Sequence, residues 1–258
     1  MKTKAPKIQN SIIYNGPSLI DGKPSIVVAI IKSGNSKTGN MIQTHIIRAD
    51  INPLDASKSG EDYSICGNCK HRGVATNNPQ KKIAEKRSCY VNLGQGPLQV
   101  FKAYIKGNYP TVTNKEDIAR IGAGRMIRLG TYGDPAAVPE SVWDALLRDS
   151  IGHTGYTHQH ALNTPETYSR MMYSADSRQD ALQAHAKGYR TFRVISLGEY
   201  HKAESKGESG LLNNEILCPA SKEAGFKTTC NNCKLCSGNN IKAKSIAIVS
   251  HGMSKKHH

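Results

Sequence analysis

Two apolar runs near the N-terminus form the first clear pattern in this chain. The stretches 25–31 and 41–47 are rich in β-branched residues, which is typical of buried strands. Between them, 33–39 is rich in glycine and small polar residues but lacks the residue order of a phosphate-binding loop, so it predicts a hairpin turn. Residues 1–25 are mostly polar and carry Asn-Gly-Pro and Asp-Gly turn signals, which predict an irregular or hairpin entry.

From residue 97 onward, helical and strand patterns alternate. Helical spacing of apolar residues predicts four helices, over 97–106, 115–121, 139–148 and 177–187. Short apolar runs predict six strands, over 125–129, 153–157, 170–174, 190–196, 215–218 and 245–250. Asn114 stands where it would cap the second of these helices.

This alternation predicts an α/β fold. Strands that alternate with helices form right-handed βαβ units and a parallel sheet. Five or six such units in about 130 residues predict a parallel (β/α) barrel or partial barrel, with an open doubly wound sheet as the alternative. We expect an N-terminal strand and hairpin extension over 1–60, packed on the main domain. A barrel-like domain with cysteine-rich metal-binding loops would follow over 61–252, and a basic tail over 253–258.

Polar side chains follow the predicted strands. Parallel strands present their carboxyl ends at one side, where active sites form. The candidate catalytic residues at these ends are Asp134, Tyr156, His158, Asp176 and His251. Each aspartate has an alternative role as a helix cap, and each histidine is an acid–base group, a metal ligand or a structural residue.

Arg193 is a candidate cofactor-binding residue. It lies within the predicted strand over 190–196. If its side chain points into the barrel, the buried cation requires an anionic partner or substrate.

The chain is organised around a cysteine-rich stretch near its C-terminus. Cys218, Cys230, Cys233 and Cys236 fall within nineteen residues. A metal site is favoured over two disulfides, because a tight Cys-x2-Cys-x2-Cys run has poor disulfide geometry. Three closely spaced thiolates with a remote Cys-Pro favour a [4Fe–4S] cluster, and Zn²⁺ is the alternative.

A second group of cysteines lies earlier in the chain. Cys66, Gly67, Asn68 and Cys69 form a knuckle, and His71 and Cys89 follow. Three cysteines with His71 would complete a tetrahedral zinc site, whereas the three cysteines alone would hold a cubane with one open iron. In the structural alternative, Cys89 is a small buried apolar residue.

The charge and the cysteine content of the chain limit which partners and which cellular compartment we expect. The net charge of +15 favours a polyanionic partner, and we expect nucleic acid, with a solvated basic surface as the alternative. The loop that carries Lys81, Lys82, Lys86 and Arg87 lies between the cysteines of the first group, and is the predicted contact. No apolar stretch is long enough for a membrane span, and seven clustered cysteines fit a reducing cytoplasm. The oligomeric state is left open.

Several short motifs carry a family resemblance. They are Gly133-Asp134-Pro135, Thr154-Gly-Tyr-Thr-His158, Ser174-Ala-Asp176, Gly188–Arg193 and the Cys218–Cys236 run. Together they resemble a largely uncharacterised family of bacteriophage and plasmid proteins over about residues 60–252. The resemblance implies a phage or mobile-element setting and supplies no reaction. The chain is also distantly similar to radical-SAM-type barrels, but it lacks their Cys-x3-Cys-x2-Cys motif.

Two functions follow from these patterns. The first is a metal-dependent barrel enzyme, with iron–sulfur or zinc, that acts on a nucleic acid, nucleobase or nucleotide. The alternative is a non-catalytic nucleic-acid-binding or adaptor protein in which structural zinc sites staple the loops.

Overall fold

The strands of the protein form two five-stranded sheets in the computed structural model, which describes residues 7–238 and 242–251. The first sheet contains β1 (Ser11–Pro17), β2 (Pro24–Ile30), β3 (Ile42–Arg48), β4 (Met126–Tyr132) and β5 (Gly152–Thr154). The second contains β6 (Tyr156–Thr157), β7 (Met172–Ala175), β8 (Thr191–Ile195), β9 (Glu215–Leu217) and β10 (Ser245–Val249). The predicted tail over 253–258 lies outside the described residues.

The first sheet changes from antiparallel to parallel pairing at β3. Its strand order is β1-β2-β3-β4-β5. The pairs β1/β2 and β2/β3 are antiparallel, as the predicted hairpin requires, with Ile26 opposite Ile47. The pairs β3/β4 and β4/β5 are parallel. The strands of the first 60 residues are therefore hydrogen-bonded into the same sheet as strands that lie beyond residue 60.

The second sheet is wholly parallel, in the order β6-β7-β8-β10-β9. The chain passes from the first sheet to the second at Gly155, so the prediction of one strand over 153–157 is wrong. The Gly155 amide donates to the Cys236 carbonyl (2.9 Å), and its carbonyl accepts from the Met172 amide (2.9 Å). A Cβ at Gly155 would stand 3.1 Å from the Leu129 Cβ, so the crossing favours a residue without a side chain.

Nine α-helices lie in the described part of the chain. They are α1 (Pro53–Ser59), α2 (Tyr63–Cys66), α3 (Gly96–Ile105), α4 (Lys115–Gly122), α5 (Glu140–Leu147), α6 (Pro165–Arg170), α7 (Arg178–Ala186), α8 (Leu197–Glu204) and α9 (Cys230–Cys233). The predicted cap Asn114 accepts hydrogen bonds from the amides of Glu116 and Asp117. Among the described residues, no helix has both the length and the apolar character needed to cross a membrane.

The largest apolar core packs against the first sheet. Ile26, Ile42, Ile47, Ile127 and Trp143 are all fully buried there. Each such side chain contributes about 1.5–3 kcal/mol when it leaves water. A much smaller cluster, which includes Cys218, packs against the second sheet. The second sheet therefore has less apolar support than the first.

The predicted α/β class is confirmed. All four predicted helices are present, with boundaries that shift by at most one residue. The predicted strand over 170–174 begins only at Met172, because Thr164 caps α6 and carries the helix through Arg170. Five helices were not predicted: α1, α2, α6, α8 and α9.

Candidate active site

A cavity of about 140 Å³, partly open to solvent, lies at the carboxyl ends of the parallel strands. The ends of β4, β6, β7, β8 and β10 all contribute to its wall. Of the five predicted strand-end residues, Asp134, Tyr156, His158 and His251 line it. Asp176 lines a neighbouring cleft instead. The parallel strands thus bring four of these five side chains to one space.

Three cysteines, Cys66, Cys69 and Cys89, line the same cavity, and we call them the first thiol group. Cys66 ends α2, and the Cys69 amide donates to the Cys66 carbonyl (3.2 Å). Gly67 makes this turn with a φ of 51°, and a Cβ there would stand 2.0 Å from Gln159 Oε1. The Cys89 amide donates to the His71 carbonyl (2.9 Å), which ties the third cysteine to the knuckle.

Two of these thiols, Cys66 and Cys89, resist ionisation. Burial raises the pKa of Cys66, and nearby Asp62 and Cys69 raise it further. Burial also raises the pKa of Cys89, although Arg87 opposes the change. A buried thiolate is costly unless a cation compensates it, so these thiols would ionise far more readily around a metal.

Both carboxylate oxygens of Asp134 accept hydrogen bonds within the fold. Asp134 therefore has the capping role that was the alternative to a catalytic one. Its Oδ1 accepts from the Ala136 amide (3.0 Å) at the start of a 3₁₀ turn. Its Oδ2 accepts from the His158 amide (2.8 Å) and from Gln159 Nε2 (3.2 Å). Asp134 therefore fixes the backbone that carries His158.

His158 connects the first thiol group to Asp176. Its Nε2 lies 3.2 Å from Asp176 Oδ1, and its ring is within hydrogen-bonding reach of the Cys69 thiol. Burial would lower the pKa of His158, but Cys69 and Asp176 outweigh it and raise the pKa well above its usual value. Asp176 does not cap α7, because that role belongs to Ser177.

The ring of His71, the predicted fourth ligand, takes part in a different group. One ligand atom each from His71, His158 and Asp176 lie within 4.8 Å of one another. Within 7–238 and 242–251, no set of three cysteines meets that distance.

The second thiol group comprises Cys218, Cys230, Cys233 and Cys236. Three of its members, Cys218, Cys230 and Cys236, line a second cavity that shares Tyr156, Phe192 and His251 with the first. Burial raises the pKa of Cys236 strongly, and Cys218, Cys230 and Cys233 each raise it further. All four thiols are therefore close enough to interact electrostatically.

Backbone contacts hold the second thiol group. The amides of Cys230 and Asn231 donate to the Lys37 and Thr38 carbonyls (2.9 and 3.1 Å) in the loop between β2 and β3. Arg190 donates to the carbonyls of Leu235, Ser237, Ala243 and Lys244. One guanidinium thus fixes both sides of the loop that contains Cys236.

Arg128 is a buried cation that lines the second cavity, and the sequence prediction missed it. Its Nη2 donates to the hydroxyls of Tyr90 and Tyr156, each at 2.6 Å. It forms no salt bridge with any described residue. Burial would lower the pKa of Arg128, but Tyr156, Tyr90, Cys230 and Cys236 raise it. An arginine inside the apolar strand β4 was the available signal.

Tyr156 and Arg193 have clear structural partners. The Tyr156 ring stacks on Phe192, with centroids 4.3 Å apart, and burial raises the pKa of its hydroxyl well above the usual value. Arg193 donates to both carboxylate oxygens of Glu215 (2.9 and 2.6 Å). The anionic partner expected for Arg193 is thus a residue of the chain itself. His251 stacks on Tyr90, with centroids 5.5 Å apart.

Comparison with protein-family models, with curated proteins and with solved structures gives no match. The resemblance to a phage and plasmid family stays a prediction.

Proposed function

We propose that this protein is a metal-cluster enzyme that acts on a nucleobase, a nucleotide or a nucleic acid in the cavity beside the first thiol group. The observation that carries the proposal is the cavity itself. Three cysteines, the imidazole of His158 and the aromatic rings of Tyr156 and Phe192 line one space at the carboxyl ends of parallel strands. This combination joins metal ligands, an acid–base group and a flat apolar wall.

The spacing of the thiols favours a cluster over a single ion. Sulfurs around one tetrahedral zinc, at about 2.3 Å from the metal, lie about 4 Å apart. Among the described residues, no three cysteines lie within 4.8 Å of one another. A cluster of several iron atoms holds its cysteines farther apart, and we therefore assign an iron–sulfur cluster to each thiol group, with [4Fe–4S] at Cys218, Cys230, Cys233 and Cys236.

The charges around the second thiol group support this assignment. Four thiolates around a cluster carry net negative charge, which is costly to bury. Lys37 and Arg128 both act on Cys218 to lower its pKa, although burial raises it overall. A buried arginine with no carboxylate partner among the described residues is the counter-charge that an anionic cluster needs.

The first thiol group has one ligand fewer. Three cysteines leave one metal position without a protein thiolate, and such a position is where catalytic metal sites bind substrate. A bound cluster there would supply Lewis-acid or redox chemistry. The chain itself supplies the proton-transfer group His158, which the backbone contact to Asp134 orients.

The lining of the cavity favours a planar substrate. Tyr156 and Phe192 stack with an interplanar angle of 18°, and Tyr90 and His251 stack across the adjoining wall. Flat apolar walls of this kind bind nucleobases by stacking. We propose that the parallel strands β3 to β10 form a partial barrel. The support is that the carboxyl ends of β4, β6, β7, β8 and β10 line one cavity.

The test is anaerobic purification followed by iron, sulfide and zinc analysis. We expect a brown protein with about eight iron atoms per chain, four from each cluster. Cys233→Ser and Cys89→Ser should each remove about half of the iron. Ser59→Ala, on the exposed end of α1, is the control and should retain all of it.

Substrate binding is tested on the same samples. The samples are first reduced with dithionite, which makes [4Fe–4S] clusters paramagnetic. Addition of nucleobases or nucleotides should then change the electron paramagnetic resonance signal that Cys89→Ser abolishes and leave the other signal unchanged. A colourless protein with about two zinc ions per chain would contradict the proposal and favour the non-catalytic protein with structural zinc sites.

A further inference from the structure

The group formed by His71, His158 and Asp176 contains no sulfur and lies beside the first thiol group. One ligand atom from each of the three lies within 4.8 Å of the others. The three residues come from separate segments: a 3₁₀ turn after Cys69, the end of β6 and the end of β7. We propose that they bind one divalent transition-metal ion, separate from any metal that the thiols hold.

The donor set selects the class of ion. Two imidazoles and one carboxylate suit first-row divalent ions such as Mn²⁺ and Fe²⁺, and three protein ligands leave positions open for water or another ligand. Thiolates prefer softer ions. The proposal therefore does not depend on the clusters of the proposed function. It makes His158 a ligand, so with the ion bound the proton-transfer role would pass from His158 to a water molecule on the ion.

One buried carboxylate oxygen of Asp176 lacks a well-aligned hydrogen bond, and this also supports a metal ion at the site. Asp176 Oδ1 is buried and accepts no well-aligned hydrogen bond, although His158 Nε2 is 3.2 Å away. Lys70 Nζ stands 3.8 Å from it, too far for a hydrogen bond. A buried carboxylate oxygen is costly without a cation or a well-aligned donor. A metal ion between the three side chains would meet that need in place of a protonated His158.

Neighbouring groups orient all three ligands. His71 Nδ1 lies 2.8 Å from Ser88 Oγ. Asp134 holds the backbone of His158, and the Asp176 amide donates to Asp180 Oδ2 (2.8 Å). Outer contacts of this kind fix the rings and carboxylates of metal sites.

The ion would be accessible from a basic cleft. His71 and Asp176 line this cleft together with the exposed cations Lys70, Lys86 and Arg178. Their positive charge favours an anionic ligand at the open metal positions. His71 and His158 also line the cavity beside the first thiol group, so the ion would stand between the two spaces.

Mn²⁺ is the probe that separates this site from the thiols, because it is a hard ion that thiolates bind poorly. Anaerobically purified full-length protein is titrated with Mn²⁺, and free Mn²⁺ is followed by electron paramagnetic resonance. We expect one bound Mn²⁺ per chain. Asp176→Asn and His71→Gln should weaken binding at least tenfold, whereas His201→Gln, in the exposed His201–Glu204 pair, should not change it.

The nitrogen couplings of the bound ion give a second readout, which identifies its ligands directly. Pulsed resonance on bound Mn²⁺ should show nitrogen couplings from two imidazoles, and one after His71→Gln. Absent Mn²⁺ binding, unchanged affinity in Asp176→Asn, or bound Mn²⁺ without nitrogen couplings would each overturn the proposal. Iron content is measured in parallel: Mn²⁺ binding without iron would refute only the proposed clusters, and iron without Mn²⁺ binding would refute only this site.

Discussion

The two thiol groups differ in what surrounds them. The first has three cysteines, and His158 lies between Cys69 and Asp176, within hydrogen-bonding reach of both. The second has four cysteines. Burial raises the pKa of Cys218 there, and the cations Lys37 and Arg128 oppose that rise. On the proposed function, the first group has an open metal position next to acid–base groups, whereas the second is fully ligated and electrostatically compensated. The contrast teaches that ligand count and neighbouring charge, taken together, separate a reactive site from a supporting one.

The two groups are also anchored in different ways. The first depends on a tight turn at Gly67 and on the buried side chain of Gln159, whose Nε2 donates to the Cys66 carbonyl (2.9 Å). The second depends on one guanidinium, Arg190, that gathers four carbonyls. Each anchor can be broken separately.

Arg190→Leu should have the largest effect. It would leave four carbonyls without their donor, and we expect a loss of about 4 kcal/mol in unfolding free energy. Urea denaturation measures this loss. On the proposed function, iron analysis should show that the cluster at the second thiol group is lost before the one at the first. Arg120→Leu, a half-exposed arginine paired with Asp117 on α4, should stay within about 0.5 kcal/mol of the wild type. Equal losses in both variants would show that Arg190 is not the anchor.

Gly67→Ala should damage the first group selectively. Its Cβ would overlap the buried Gln159 side chain at 2.0 Å, and its φ of 51° is strained for alanine. We expect a loss of about 3 kcal/mol from strain and overpacking together. Gly225→Ala is the matched control, because its φ is also positive (74°) but no atom lies within 4 Å of the new Cβ. It should lose only about 1 kcal/mol, and thermal denaturation of the two variants compares them.

His45, which lines the second cavity, makes the folding stability of the protein depend on pH. Burial, and then Arg128, lowers the pKa of His45 to about 4. The folded state therefore keeps His45 neutral while the unfolded state, with a pKa of about 6.5, binds a proton first. The contribution of neutral His45 to the free energy of unfolding is therefore fully present above about pH 6.5. It is lost as the pH decreases, by about 2 kcal/mol between pH 7 and pH 5.

Urea denaturation at the two pH values measures this change. His45→Gln should remove most of it, whereas the exposed His201→Gln should not. An undiminished pH slope in His45→Gln would show that other groups carry the effect.

The sequence predicted the elements whose signals are local. The strands β2 and β3 and the helix capped by Asn114 were found because apolar spacing and capping residues lie within a few positions of one another. The break at Gly155 was missed, because it depends on contacts with Leu129 and Cys236 that are distant in sequence.

The candidate site likewise contains features that the sequence predicted and features that it missed. Strand topology alone brought Asp134, Tyr156, His158 and His251 to one cavity. The grouping of His71 with His158 and Asp176 spans about a hundred residues of sequence, and no spacing rule connects them. Arg87 was predicted to contact nucleic acid, but it is buried and its Nη1 donates to the carbonyls of Cys89 and Val91 (3.0 Å each).

The smallest expected effect on stability concerns the loop between the cysteines of the first group. Lys81, Lys82 and Lys86 are exposed on it. Paired backbone hydrogen bonds between Val74 and Glu85 (2.9 and 2.8 Å) hold its base. An ordered basic loop loses less entropy on binding a polyanion than a free tail does. If these lysines contact phosphates, replacing all three with serine should lower the salt dependence of DNA or RNA binding by about 0.7–0.9 logarithmic units per lost contact.

The control removes the same charge from another surface. Lys187, Lys202 and Lys206 are exposed at the ends of α7 and α8, and their replacement with serine lowers the net charge equally. Fluorescence titration of labelled single strands between low and moderate salt measures both slopes, and both variants should unfold like the wild type because the side chains are solvated. A larger change for the loop variant would tie the polyanion to the first thiol group. Equal changes would show that the positive charge acts as a diffuse surface field, which would remove nucleic acid as a specific partner of this cavity and leave a nucleobase or nucleotide as its substrate.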